Sequence, residues 1–345
     1  MSKLVCKKCV LDSDIPGIYI NKETGLCHFC ETYTPLLSQE KSEYLSKIDE
    51  LFKNCSGKGN YSVIYALSGG KDSSYTLYKL KKDYPFLNVL AVQFDNGFIS
   101  ENAIKNAKKM CKVTGCDYFQ LTIEKDKLYN IFRKAAESYD AFPKFAKYRA
   151  SDICNICISI IKQKLIEHAI IQKAPFIVFA FTAGQSPNPL INLSINFIQW
   201  SRNLFEKQLQ KIGVDDKDEL FLIKSEIIKN IGEDVPSILH PLCLWGYSED
   251  RVLGTLLEIG WELPDIKDSN STNCTLNSFA CHNHLEKYGF HPYAFDTAGL
   301  VRSGEMSREE GFEKISQDLS TQLIEDAANK LKIKTNNFKK LLNAI

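Results

Sequence analysis

Between Tyr61 and Lys82 the chain reads YSVIYALSGGKDSSYTLYKLKK, and no other stretch limits the fold as strongly. Tyr61 to Leu67 is an apolar run of strand length bounded by polar and turn residues, the signature of a strand buried on both faces. It runs through a glycine turn, Ser68 to Ser74, into a helix start at Ser73 to Lys82. A second run, Asn88 to Phe94 (NVLAVQF), leads through Asp95-Asn96-Gly97 to a helix expected over about Glu101 to Thr114. A later strand, Phe176 to Phe181 (FIVFAF), ends at Thr182-Ala183-Gly184-Gln185, and residues 188 to 260 read as mainly helical. Strands that alternate with helices predict an α/β fold, a doubly wound and mainly parallel sheet with helices on both faces.

Ser68-Gly69-Gly70-Lys71-Asp72-Ser73-Ser74 lies where backbone N–H groups and a helix dipole make an anion site, and the glycines let the backbone wrap a phosphate. It is neither a GxxxxGK loop followed by Ser or Thr nor the GxGxxG dinucleotide turn. The full run after a strand resembles the SGGxDS signature of the PP-loop ATP pyrophosphatases, the family of GMP synthetase, asparagine synthetase and the tRNA thiolation enzymes, with its HUP-like fold. That resemblance implies a set of roles. Ser68, Gly69, Gly70, Ser73 and Ser74 would grip the pyrophosphate of ATP, Lys71 would neutralise phosphate charge, and Asp72 would help hold Mg2+. Ala66 and Leu67 would supply backbone groups nearby, and Asp95 would face the adenine and ribose. The implied reaction is attack of a substrate oxygen on the α-phosphate, release of pyrophosphate, and departure of that oxygen as AMP when a nucleophile arrives. Gly184-Gln185-Ser186-Pro187-Asn188 follows a strand on the same sheet edge, so by the carboxyl-end rule it borders the substrate.

Cys6-x2-Cys9 and Cys27-x2-Cys30, with 17 residues between the pairs, have zinc-ribbon spacing. Four thiolates would close a tetrahedral Zn2+ site and replace the core that so short a module cannot build. Twelve cysteines in a 345-residue chain, arranged in CxxC pairs and with no apolar run of signal-peptide length near the start, favour metal over disulfides. The expectation is a soluble, cytoplasmic protein with no membrane partner. With 43 Lys+Arg against 42 Asp+Glu, bulk charge draws the chain toward neither nucleic acid nor lipid. Composition shifts divide it into a zinc ribbon at 1–35, a helical linker at 36–60, a nucleotide-binding domain at 61–265 and a helical, substrate-side region at 266–345.

Two resemblances disagree about the nucleophile. CKKCVLDSDIPGIYINKETGLCHFC, SGGKDSSY, Gly289-Phe290 and the stretch Val301 to Glu310 look like the N-acetyl sugar amidotransferases of surface-polysaccharide synthesis, which implies ammonia from a partner glutaminase. The other resemblance lies in cysteines. Cys154-Asn155-Ile156-Cys157, opening a helix about 80 residues after the phosphate loop, with distant Cys274, is similar to the cluster-bearing PP-loop tRNA thiolation enzymes. It implies a 4Fe-4S cluster on three thiolates with one iron open, the arrangement sulfur transfer needs. Because this CxxC departs from the amidotransferase pattern, the sequence favours sulfurtransfer to a small-molecule or tRNA substrate, with a sulfur donor as partner and a homodimer as one possible assembly.

Cys243 and Cys281 are alternative third ligands, while Cys55, Cys111 and Cys116 read as core or surface positions. His282 and His284 beside Cys281 are an accessory metal candidate set against an ordinary loop, and His240 reads as structural. Arg302 and Arg308 are candidates for an anionic substrate group. Lysines 330, 332, 334, 339 and 340 form a basic tail, by default a solvated helix face and alternatively a tRNA contact. A nucleotide-binding regulator that has lost turnover is the reading from a different class, and retention of both Lys71 and Asp72 argues against it.

Overall fold

The computed structural model describes residues 3–55, 59–139, 142–186, 188–232, 235–264, 271 and 273–333. Six strands form one sheet: β1 Val63–Ala66, β2 Val89–Asp95, β3 Asp117–Thr122, β4 Phe176–Val178, β5 Leu190–Asn192 and β6 Ser237–Leu239. Their order is β3-β2-β1-β4-β6-β5, and every pair is parallel except β5 with β6. Alternation along the central strands divides them between two cores. Val63 and Tyr65, Val89 and Ala91, and Phe176 and Val178 point to one face, while Ile64, Leu90 and Ile177 point to the other.

Fourteen α-helices are described: α1 His28–Glu31, α2 Ser38–Lys53, α3 Lys71–Asp83, α4 Glu101–Thr114, α5 Lys125–Glu137, α6 Lys144–Arg149, α7 Asp152–Gln172, α8 Ile195–Lys211, α9 Ser225–Lys229, α10 Glu249–Glu258, α11 Asn277–Tyr288, α12 Ala294–Ser303, α13 Arg308–Ser316 and α14 Thr321–Lys330. One sheet face carries α2, α3, α4 and α10 through residues such as Phe52, Leu80, Met110 and Leu256. The opposite face is covered by α7 and α8, through Leu165, Ala169 and Ile198. The stretch expected as a linker does form a helix, α2, but its Ile48 and Phe52 are buried in the sheet core. Residues 188–260, expected as mainly helical, also contribute β5 and β6, each too short to leave a periodic signature. No helix among the described residues is long and apolar enough to cross a membrane.

After β1 the chain winds outward through β2 to β3, then returns along α7 to place β4 on the other side of β1. The carboxyl ends of β1 and β4 therefore flank the switch point, where an open α/β sheet has its crevice.

The N-terminal module is not a separate lobe. Its core of Val10, Leu11, Ile15, Ile18 and the four cysteines is continuous with Phe290, Ala294, Ala298 and Val301 of the C-terminal region. On its other side α12 meets the loop after β4 at very short range. A Cβ on Gly299 would lie 2.7 Å from the Gly184 Cα, and one on Gly184 would lie 2.3 Å from the Asp296 carbonyl oxygen. Gly299→Ala is thus expected to lower stability by about 1–3 kcal/mol through overpacking. Gly254→Ala, in α10 with nothing within 4 Å of its added Cβ, should raise stability by about 0.5–1 kcal/mol. Urea midpoints measure both, and a shift of the same sign in the two variants would contradict the close approach.

Candidate active site at the sheet switch point

The turn after β1 has its conformation set by residues around it. Gly69 has φ +81°, and a Cβ there would strike the Ala103 carbonyl oxygen at 2.0 Å, so only glycine fits. The Gly69 carbonyl accepts from Trp261 Nε1 at 3.0 Å. Ser73 Oγ lies 2.9 Å from Ser68 Oγ, accepts from the Ser68 N–H at 3.2 Å and donates to the Gly70 carbonyl at 3.2 Å. Gln93, held by Tyr118, donates to the Ser68 carbonyl at 3.1 Å. Gly70 caps α3, leaving the first-turn N–H groups of that helix aimed out of the turn. Ser74 is fully buried beneath the loop, away from its open side.

The two charged loop residues meet partners from distant segments. Lys71 Nζ pairs with Glu249 Oε1 at 3.2 Å, and Lys314 Nζ of α13 approaches Glu249 Oε2 at 3.7 Å. Burial alone would raise the Glu249 carboxyl, but Lys71 and Lys314 hold it below its ordinary value. Asp72 Oδ1 accepts from the Tyr247 hydroxyl at 3.0 Å. Two lysines, Lys71 of the loop and Lys314 of α13, are therefore braced on one carboxylate at the mouth of the turn.

Beside the loop is a cavity of about 320 Å³. Ala66, Leu67, Ser68, Asp72 and Ser73 line one wall, and Phe179, Phe181 and Gln185, following β4, line another. Cys154, Cys157 and Cys274 all open onto it. Ser151 caps α7 by accepting the Cys154 N–H at 3.1 Å, and one helical turn then presents both thiols to the cavity. Cys274 arrives on a segment bridged to Ile99, with Ser100 N–H donating to Asn273 at 3.0 Å and Thr275 N–H to Phe98 at 2.9 Å. Asn96 Nδ2 donates to Cys157 Sγ at 3.7 Å and to Cys274 Sγ at 3.5 Å, so two sulfurs distant in sequence share one amide. Burial, then the neighbouring Cys274 and Cys154, push the Cys157 thiol up. Cys243 donates to the His240 carbonyl within the sheet core and Cys281 is buried in α11, and neither lines this cavity.

Asp95 turns away from the cavity: its Oδ1 accepts the Gly97 N–H at 2.8 Å, and Asn96 takes the lining position beside it. Gln185 faces the cavity and hydrogen-bonds Asp296, while Gly184 is the contact point for α12. Asp296 itself lines the cavity, and burial raises its carboxyl to about 8 against the opposing pull of Arg149. Arg149, Tyr247, Glu249, Asp296 and Lys314 are absent from the residues named from the sequence, each coming from a segment with no motif of its own, and Asn96 is named there only as part of the turn Asp95-Asn96-Gly97.

Cys6, Cys9, Cys27 and Cys30 are buried with all four sulfur atoms within 4.8 Å of one another. Cys9 and Cys27 sulfurs are 3.7 Å apart, close to the ~3.8 Å edge of a tetrahedron with metal–sulfur bonds of about 2.3 Å. Among the described residues no other group of three or more His, Cys, Asp or Glu is placed to hold a single ion: this removes the His282, His284 and Cys281 candidate, and Cys154, Cys157 and Cys274 are not gathered in this way either. His284 packs against Tyr288 and Phe290 instead. Arg302 and Arg308 brace the cysteine module rather than the cavity: Arg308 donates to the Cys6 and Cys9 carbonyls at 2.8 and 3.2 Å, and Arg302 to Cys9 Sγ at 3.9 Å. Lys330 reaches the Gly97 carbonyl and stands 4.6 Å over the Phe98 ring, and lysines 334, 339 and 340 lie outside the described residues, as do Pro187, Asn270 and Thr272.

A βα turn of sequence SGGKDSS stands at the switch point of a mainly parallel, doubly wound α/β sheet, the setting in which the resemblance to the PP-loop signature places it. Comparison with known proteins adds three distant likenesses and one family match. Residues 275–345 match the family described as LPS biosynthesis protein WbpG-like, C-terminal domain. An uncharacterized protein of Methanocaldococcus jannaschii is 23% identical over 316 residues, covering 90% of this chain and 93% of that one. Among solved structures, the U34-tRNA thiolase NcsA from Methanococcus maripaludis with its 4Fe-4S cluster is 18% identical with TM-score 0.35, over 97% of this chain and 92% of that one. The NH3-dependent NAD synthetase from Campylobacter jejuni is 16% identical with TM-score 0.31, over 67% of this chain and 99% of that one.

Proposed function

We propose that this chain is an ATP-dependent, AMP-forming enzyme that activates a carbonyl-type oxygen of its substrate and replaces it with sulfur. The observation that carries the reading is the convergence of Cys154, Cys157 and Cys274 on the cavity that also contains the phosphate loop. In this reading the α3 N-terminus and Lys71 hold the phosphates, and Asp72 holds Mg2+. The substrate oxygen attacks the α-phosphorus, the bond to the bridging oxygen breaks, and pyrophosphate leaves toward Lys71 and Lys314. The activated carbon later loses that same oxygen as AMP. Three soft thiols facing one partly apolar cavity, with Asn96 as a shared amide donor, fit a 4Fe-4S cluster. When bound, such a cluster supplies sulfide from the one iron that has no protein ligand. Cys6, Cys9, Cys27 and Cys30 hold a structural Zn2+, since four protein ligands leave no open position.

A second reading, nitrogen transfer to an N-acetylated sugar with ammonia from a partner glutaminase, is favoured by the WbpG-like match over residues 275–345. Anaerobic reconstitution with iron and sulfide separates the two. Sulfur transfer requires about four irons and four sulfides per chain in the wild type, loss of both in Cys154→Ala, Cys157→Ala and Cys274→Ala, and retention in Cys243→Ala. A colourless protein that carries zinc alone after reconstitution overturns it in favour of amidation.

A further inference from the structure

Arg149, the last residue of α6, lines the cavity, with its guanidinium carbon 5.3 Å from the centre of the Phe181 ring. Lys162, on α7, brings its ammonium to 5.7 Å from the same ring. The His240 ring is 5.2 Å from it as well, but its Nδ1 is taken up by Ser186 and the Asn188 carbonyl. Among the described residues, neither cation has a carboxylate within 4.0 Å or an acceptor within hydrogen-bond distance. Asp296 is the carboxyl that acts on Arg149 from beyond 4.0 Å, and burial raises it to about 8, which weakens it as a counter-charge. Burial, then Arg149, pull Lys162 down to about 7.

An unpaired guanidinium beside an amine that burial drives toward its neutral form opposes folding: each has lost water, and their charges repel one another. Surface lysines would carry no such penalty. The arrangement becomes favourable when an anion in the cavity beside Arg149 draws both charges, since a low local dielectric makes each charge-assisted contact strong.

We propose that Arg149 and Lys162 form a subsite for one anionic group, a phosphate or a carboxylate, on a small-molecule acceptor. The proposal rests on the reading of this cavity as the acceptor's binding place, and it holds for sulfur and nitrogen transfer alike. Phe181 and Gln185 border the subsite on the β4 side, and the phosphate loop and the three cysteines share the same cavity, so the anionic group anchors the acceptor while its oxygen meets the α-phosphate. A polynucleotide backbone is disfavoured because it binds along exposed rows of cations, whereas these two are half-buried around one ring.

The test uses the full chain with its phosphate loop saturated by α,β-methylene-ATP, which is not cleaved between the α- and β-phosphates. Calorimetric titration then follows inorganic phosphate in one arm and glucuronate in the other. The wild type is expected to bind at least one of them, the stronger arm naming the chemical group. Arg149→Gln and Lys162→Met should each weaken that anion tenfold or more and leave affinity for the nucleotide analogue unchanged. Lys162→Met should also raise the melting temperature of the ligand-free protein by roughly 2 °C or more, because it removes an unpaired charge. Anion affinity unchanged in both variants, a lowered melting temperature in Lys162→Met, or a wild type that binds neither anion but binds bulk tRNA overturns the proposal. Iron analysis on the same samples keeps the two ideas apart: a protein without iron that still shows the anion effect loses the sulfur reading and keeps the subsite.

Discussion

Replacing Lys71 by alanine is expected to slow ATP cleavage to AMP and pyrophosphate by about 100-fold or more, the scale seen when a preorganised electrostatic contact to the reacting group is removed. Lys71 is largely buried, and the loop that carries it is held from several sides, by Trp261, Gln93 and the Ser68–Ser73 pair. Removing the ammonium leaves Glu249 facing the phosphates with only Lys314 to balance it, so repulsion adds to the lost attraction. Asp72→Ala should reduce the rate comparably, and extra Mg2+ should restore part of it if Asp72 is a metal ligand. Pyrophosphate release assayed with substrate present checks both. Unchanged release in the two variants would remove the phosphate loop from the chemistry.

An equally large effect is expected on stability when Cys27 is changed to serine. The four sulfurs are buried within 4.8 Å of one another, and the module around them has few apolar residues of its own. Metal binding in modules of this kind contributes on the order of 10 kcal/mol to folding. With zinc as the proposed occupant, loss of one ligand should release it and separate the module from Phe290, Ala298 and Val301. Because Asp296 and Gly299 lie on that same helix, α12, the variant should also lose the cavity wall beside Gln185. Zinc content, melting temperature and binding of the nucleotide analogue would be measured on one sample, against Cys116→Ser as the control at a half-buried position. A Cys27→Ser protein that loses zinc yet melts within 2 °C of the wild type would contradict a structural role.

The parts of this molecule that can be read from the chain are those in which local sequence and tertiary setting agree. β1, β2 and α4 announce themselves because buried strands are apolar throughout and Ser100 caps α4 in a recognisable way. β3, at the sheet edge, alternates exposed and half-buried residues in DYFQLT, which resembles a loop as much as a strand. Three-residue strands such as β5 and β6 are created by pairing, not by propensity. The sequence leaves Cys243 and Cys281 open beside Cys274, and the fold separates them, since Cys274 alone of the three lines the cavity. Arg302 and Arg308 show the opposite case. Arginine near a C-terminal segment invites an anionic partner, but here the partners are carbonyl and sulfur atoms of the N-terminal module. Arg149, Lys162 and Asp296 carry no local signal: the two cations are set apart by having, among the described residues, no carboxylate within 4.0 Å, and Asp296 by its burial, both properties of the folded chain.

The hydrogen bond from Arg308 to the Cys6 carbonyl spans 302 residues. During synthesis the four thiols leave the ribosome about 300 residues ahead of the helices that cover them. At 5–20 residues per second that interval is about 15–60 s. Throughout it the N-terminal cysteines are reachable by metal, oxidant and chaperone, with no docking face available. A metal taken up in that window would be covered once α12 and α13 pack on the module, so the order in which the chain is made governs when the site can be reached.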